Sequence, residues 1–167
     1  MTSGCDDTSW LDALRLDPMQ PEDLDSVLAV ERLSFPSVWS RESYLRELRN
    51  RNSYYIVARL GGEIIGHAGM WVALDEAHIS TLAVHPARRR RKLGRFLLSH
   101  LIHVAEQKGV ARIALEVREG NLAAHGLYQQ FGFQSRGRLP HYYGDTGENA
   151  LLMCKQLATG DDRERTE

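Results

Sequence analysis

Cysteine is almost missing from this 167-residue chain: Cys5 and Cys154 are the only two. Their separation excludes a disulfide framework, and there is no Cys-x-x-Cys pair to hold a metal. The seven histidines are scattered. His100 and His103 share a helical face, but no third ligand stands at a suitable spacing, so no metal is expected. Nor does any apolar run reach the roughly 18 residues that a membrane-crossing helix requires. Met1 to Asp12 lacks the basic and apolar regions of a secretory leader. These absences imply a cytosolic protein held together by its core. An excess of one charge is lacking too. The formal net charge is −1, which argues against a general nucleic-acid binder.

What charge there is lies unevenly. Removing the five basic residues Arg88–Lys92 from the 21 leaves 16 against 22 acids, an acidic body carrying one cationic turn. That turn follows an apolar strand ending at His85-Pro86 and precedes a helix opening at Leu93-Gly94. Backbone N–H groups aimed outward at a helix N-terminus make an anion site. With cationic side chains around it, such a site suits a small phosphorylated ligand.

Length and a 43% hydrophobic content predict one domain. Residues 1–10 and 159–167 are polar and read as disordered tails around a domain at 11–158. Leu14 and Leu16 predict a first strand before Pro18. Pro21-Glu22-Asp23 opens a helix with an apolar stripe at Leu24, Val27 and Leu28, ending near Phe35-Pro36. Ser40 caps a second helix over Arg41–Arg49. Gly61-Gly62 joins strands Tyr54–Leu60 and Glu63–Ala73 in a hairpin. Ala77–Val84 is a further strand. Leu93, Phe96, Leu97, Leu101 and Val104 recur at helical spacing until Gly109. Strand Val110–Val117, a helix capped by Asn121 through Gln130, and a pair Gln134–Tyr142 and Ala150–Leu157 complete the order. The expected class is α/β, or mixed α+β: about seven mostly antiparallel strands with one βαβ crossover, flanked by about four helices.

Several segments carry a resemblance. They are Ile79–Val84, the turn Arg89–Gly94, Asn121 with Ala123-Ala124, and Leu127-Tyr128-Gln129-Gln130-Phe131-Gly132-Phe133. Together they resemble the GNAT N-acetyltransferases, which move acetyl from acetyl-CoA to an amine. Leu115-Glu116-Val117-Arg118, Asn121, Leu127-Tyr128 and Tyr142-Tyr143 before Glu148-Asn149-Ala150 are similar to the ribosomal-protein alanine N-acetyltransferases within that family. Phe35-Pro36 followed by Trp39-Ser40 is similar to their substrate-side loop. The likeness runs from about Leu14 to Leu157. One position departs from it. The family turn has glycine where Lys92 stands, and a lysine held in a left-handed conformation costs on the order of 1 kcal/mol.

The resemblance implies acetyl-CoA as co-substrate and no metal. It places the pyrophosphate on the turn Arg90, Arg91, Lys92, Leu93, Gly94 and Arg95. The pantetheine arm would run along Leu82, Ala83 and Val84 as an added strand, and Asn121 and Tyr128 would also touch the cofactor. It makes Glu116 the general base and Tyr128 the general acid. By alternation, Glu116 lies on the face opposite Ile113, Leu115 and Val117. A strand glutamate paired with Arg118 is the plain alternative, as a core aromatic is for Tyr128. Tyr142 and Tyr143 would line the acceptor groove, or else merely staple their loop. The implied acceptor is an N-terminal α-amine, that of ribosomal protein S18, modified by a monomer. A lysine, polyamine or small-molecule amine is the alternative acceptor. A non-catalytic acyl-CoA sensor or partner subunit is the alternative of another class.

Overall fold

Gly61 and Gly62 take positive φ values of 59° and 83°, closing a two-residue turn whose twist matches the hairpin on either side. The hairpin joins β2 (Ser53–Leu60) to β3 (Glu63–Ala73). In this computed structural model the described residues are 9–89 and 92–158. The remaining elements are β1 (Arg15–Pro18), α1 (Leu24–Ser34), α2 (Arg41–Arg49), β4 (Glu76–Val84), α3 (Leu93–Gln107), β5 (Arg112–Arg118), α4 (Leu122–Gln130), β6 (Gln134–Leu139) and β7 (Ala150–Gln156). They build one seven-stranded sheet in the order β1-β2-β3-β4-β5-β7-β6. Only β4 and β5 are parallel, joined across α3 in the βαβ unit expected from the sequence.

Helices cover both faces of the sheet. Leu93, Leu97, Leu98 and Leu101 of α3 are at most 1% exposed and pack with Ile56, Met70, Ile113, Leu115 and Met153; Tyr128 of α4 joins this larger core. Burying each such leucine stabilises the fold by about 1.5–3 kcal/mol. On the other face, Leu24, Val27 and Leu28 of α1 and Tyr44 of α2 pack on Tyr55, Val57 and Ile64. Local signals set the helix ends. The Ser43 N–H donates to Ser40 Oγ at 3.1 Å ahead of α2, and Gly109 (φ 72°) closes α3. No helix among the described residues is long and apolar enough to cross a membrane.

Of the boundaries that differ from expectation, three have a local cause. Trp10, read as tail, belongs to a 3₁₀ turn over Ser9–Ala13 and packs on the larger core. β5 begins at Arg112 because the Ala111 N–H is taken by the Asp75 carbonyl at 2.6 Å, outside the ladder. β6 stops at Leu139 rather than Tyr142. Pro140 has no N–H to give, and His141 turns the chain with φ 50°. Tyr142 and Tyr143 therefore lie on a loop. Cys5 and the tail 159–167 fall outside the described residues.

Candidate active site

A single extra residue opens the sheet. Gly69 pairs with Thr81 and Met70 with Ile79, so Ser80 has no opposite number on β3. Such a bulge bends its strand. Before it, Glu76–Ile79 pair with Arg112–Leu115 of β5; beyond it, β4 follows β3 while β5 follows β7. The edge of Ser80–Val84 that faces β5 thus has no strand partner among the described residues. A groove fills the resulting V in three adjoining cavities. The central one, about 300 Å³, is walled by Ser80, Leu82, Glu116, Asn121, Tyr128 and Tyr143. A wider one of about 890 Å³ runs along Leu82–Val84 to the start of α3. A narrower one of about 290 Å³ is walled by Trp39, Glu47, Trp71, His78 and Tyr142.

The wide end is cationic. Arg89, Lys92, Arg95 and Arg118 line it with Asn121. Leu93 and Gly94 also line it, in the first turn of α3, where N–H groups lack intrahelical partners. Lys92 is the N-cap, with φ 67° and ψ 9°. The left-handed geometry that favours glycine is therefore kept, with lysine bearing it. The Arg89 Nε donates to the Val84 carbonyl at 3.2 Å. The Arg95 guanidinium donates to Gln130 and lies 5.4 Å over the Phe131 ring. Arg90 and Arg91 lie outside the described residues.

Glu116 stands at the centre, on the face opposite the buried Ile113, Leu115 and Val117. Its partner is His78, not Arg118: His78 Nε2 and Glu116 Oε2 are 2.6 Å apart, both side chains 20% exposed. His78 in turn stacks on Trp71, 4.9 Å between ring centres. Arg118 instead holds Asp145 through both guanidinium nitrogens at 3.1 and 2.7 Å, and lies 3.9 Å over the Tyr143 ring. Its hydrogen bonds keep the Asp145 carboxyl well below the usual carboxylate range. This pins the loop after β6 against the groove. Tyr143 faces the centre, while Tyr142 stands half exposed at the narrow end.

Tyr128 projects from α4 into the central cavity, 8% exposed and packed 5.7 Å from Phe133. Burial pushes its phenol up to about 12, so at neutral pH it is a proton donor. Asn121 accepts from the Ala124 N–H at 3.3 Å, the N-cap expected of it, and also walls the groove. The wide end fits a phosphorylated ligand with an amide-bearing arm: an unpaired strand edge for the arm, helix amides and cations for the phosphates. No group of three or more His, Cys, Asp or Glu among the described residues is placed to hold a metal.

Two site residues escape the sequence reading. His78 is signalled only by alternation, which puts it on the Glu116 side of the sheet. Glu31 lines the central cavity at 2% exposure. Its signal was its place in the stripe of α1: Leu24, Val27, Leu28 and Glu31 fall at i, i+3, i+4 and i+7.

A family model described as acetyltransferase (GNAT) family matches residues 24–133. A Bacillus subtilis protein, named as a candidate ribosomal protein bS18-alanine N-acetyltransferase, is 38% identical over 136 residues, covering 81% of this chain and 90% of its own. The Escherichia coli K12 ribosomal protein bS18-alanine N-acetyltransferase is 34% identical over 144 residues, 84% of this chain and 95% of that protein. A crystal structure of the E. coli ribosomal-protein-S18-alanine N-acetyltransferase superposes with a TM-score of 0.80 at 30% identity, over 89% of this chain and 97% of that one.

Proposed function

The chain belongs to the GNAT family and is an N-acetyltransferase, and from that premise we propose that it acetylates the N-terminal alanine of ribosomal protein bS18. One observation carries the chemistry: a carboxylate, Glu116, and a buried phenol, Tyr128, share the walls of one cavity beside the open edge of β4. The acceptor is inferred from the relatives' names, and a ribosomal acceptor makes the cytoplasm the place of action.

Acetyl-CoA supplies the acetyl group as a thioester. The unpaired edge at Leu82, Ala83 and Val84 would hold its amide-bearing arm. The turn at Arg90, Arg91 and Lys92 and the amides of Leu93, Gly94 and Arg95 would hold its phosphates. Asn121 and Tyr128 complete the contact. Glu116 removes the proton from the incoming ammonium, directly or through water, with one carboxylate oxygen steadied by His78. An α-amine loses its proton near 7.7–8.0, against about 10.4 for lysine, so the former is the easier acceptor to deprotonate at neutral pH. Tyr128, still protonated at neutral pH, gives its proton to the departing thiolate and recovers it from solvent. Tyr142 and Tyr143, with Trp39 and Trp71, form the acceptor end.

Intact-mass spectrometry with acetyl-CoA tests this on peptides starting with Ala, Ser or Met and on an α-blocked lysine peptide. The Ala-starting peptide should gain one acetyl fastest; equal modification of the blocked peptide overturns the N-terminal assignment. Glu116→Gln and Tyr128→Phe should each lower kcat about 100-fold or more while leaving acetyl-CoA affinity within threefold. Near-wild-type turnover in both variants refutes the assigned roles.

A further inference from the structure

Glu31 is a carboxyl group where the α1 stripe calls for an apolar side chain. It follows buried Leu24, Val27 and Leu28 on the same helical face and is itself 2% exposed. Two donors meet it. The Trp39 backbone N–H reaches Oε2 at 3.2 Å, and the Tyr44 hydroxyl donates to Oε1. His67 Nε2 stands 3.9 Å from Oε1, too far for a hydrogen bond, and both His67 ring nitrogens lack a partner among the described residues. The ring of Trp39 lies 5.3 Å from that of Tyr44. One carboxyl group thus touches both the backbone beneath Trp39 and the side chain against which Trp39 packs. It also looks into the central cavity beside Phe35, Ser37 and Trp39.

We propose that Glu31 is a positioning residue for the acceptor: it fixes the connection between α1 and α2, and with it the Trp39 wall of the groove. The proposal rests on reading the narrow end as the acceptor end. The connection contains Pro36, which offers no N–H, and its outer side has Ser37 beside the Asp145 carboxylate. Its inner side is tied at Trp39 by Glu31. An apolar residue at position 31 would fill the stripe but leave the Trp39 N–H without this partner. Glutamine, by contrast, can keep both contacts: its oxygen accepts from the Trp39 N–H, and its NH₂ donates to the Tyr44 hydroxyl, which can accept as well as donate. The position therefore calls for a polar acceptor of this length rather than an apolar filler.

The test uses the full chain with Glu31→Leu, Glu31→Gln and Tyr44→Phe, acetyl-CoA and an Ala-starting peptide. Glu31→Leu should raise the acceptor KM about tenfold, the effect of losing one hydrogen bond, with kcat within threefold and acetyl-CoA Kd, by calorimetry, within twofold. Glu31→Gln keeps an acceptor for the Trp39 N–H and should restore KM to within about threefold of wild type. Tyr44→Phe removes one donor and leaves the Trp39 bond, so its KM should rise about two- to threefold. A second readout needs no acceptor: the Trp39 amide should exchange its hydrogen at least tenfold faster in Glu31→Leu. Unchanged KM with unchanged exchange in Glu31→Leu overturns the proposal. So does a loss of acetyl-CoA affinity in step with KM, which marks a general folding role. If the wild type acetylates no N-terminal peptide, the acceptor assignment falls, and amide exchange alone still decides whether Glu31 holds Trp39. Should Glu31→Leu fail to fold, Tyr44→Phe decides, and a KM unchanged in that variant refutes the clamp.

Discussion

Replacing Glu31 with glutamine should change how stability depends on pH. Burial pushes the Glu31 carboxyl from its ordinary 4.5 up to about 7, with the Trp39 N–H pulling the other way. Burial also pushes the His67 ring from 6.5 down to about 3. Between pH 4.5 and 7 the folded chain therefore keeps a proton on Glu31 that the unfolded chain has released, and stability falls as pH rises. Between pH 3 and 6.5 the unfolded chain binds a proton on His67 that the folded chain refuses, and stability rises with pH. Each slope is about 1.4 kcal/mol per pH unit. Over 4.5 to 6.5 they oppose and cancel, and the wild type conceals both. The other groups facing the carboxyl, Tyr44 and Tyr55, are phenols, and Tyr55 is itself pushed up to about 12. Glu31→Gln removes the falling slope alone. Urea unfolding followed by tryptophan fluorescence, for both proteins from pH 4.5 to 8, should show the variant gaining about 3 kcal/mol relative to wild type by pH 7.5. A difference that is flat across this window refutes two neutral buried partners.

Gly69→Ala probes the sheet opening. An added Cβ would stand 2.2 Å from two atoms of the buried Tyr55 ring, and the Tyr55 hydroxyl lies beside the bulge residue Ser80. Urea unfolding should show a loss of about 1–3 kcal/mol or more, with a drop in kcat; a change under about 0.5 kcal/mol refutes the close packing. At the cationic turn, Lys92→Ala and Lys92→Gly both delete the ammonium, but only glycine sheds the left-handed penalty. Calorimetry should give the alanine variant the weaker acetyl-CoA Kd, and its stability should be about 1 kcal/mol lower. Equal values in the two variants mean that backbone shape at this position does not matter.

The legible parts of this protein are those set by neighbours in sequence. The turn at Gly61-Gly62, the caps Ser40 and Asn121 and the strain at Lys92 depend on two to four adjacent residues, and all stand where the sequence puts them. The placement of Glu116 on the groove side also followed from alternation. Its partner did not. His78 lies 38 residues away and meets Glu116 only through the parallel register of β4 and β5, while the nearby Arg118 is drawn off by Asp145. The opening is implied by the family resemblance but not by the residue pattern, because a bulge at Ser80 leaves the alternating burial of β4 undisturbed. Glu31 was overlooked for a different reason: one acid in an apolar stripe reads as a helix edge until its two donors are seen. Tyr142 reads as strand continuation because the turn at Pro140-His141 carries no glycine.

Among the described residues, four ladder pairs, Glu76–Ile79 with Arg112–Leu115, and the bonds of the Ala111 and Arg112 N–H groups to the Asp75 carbonyl join the β1–β4 half of the sheet to the β5–β7 half. In mechanical terms this is a seam, and it ends at Ser80. A guest lying along Ser80–Val84 adds backbone bonds where the sheet has run out of its own. Acetyl-CoA held there, as proposed, would act as a rivet as well as a reactant, raising the force needed to part the halves. Product departure would reverse this, so each turnover would tighten and loosen the same joint.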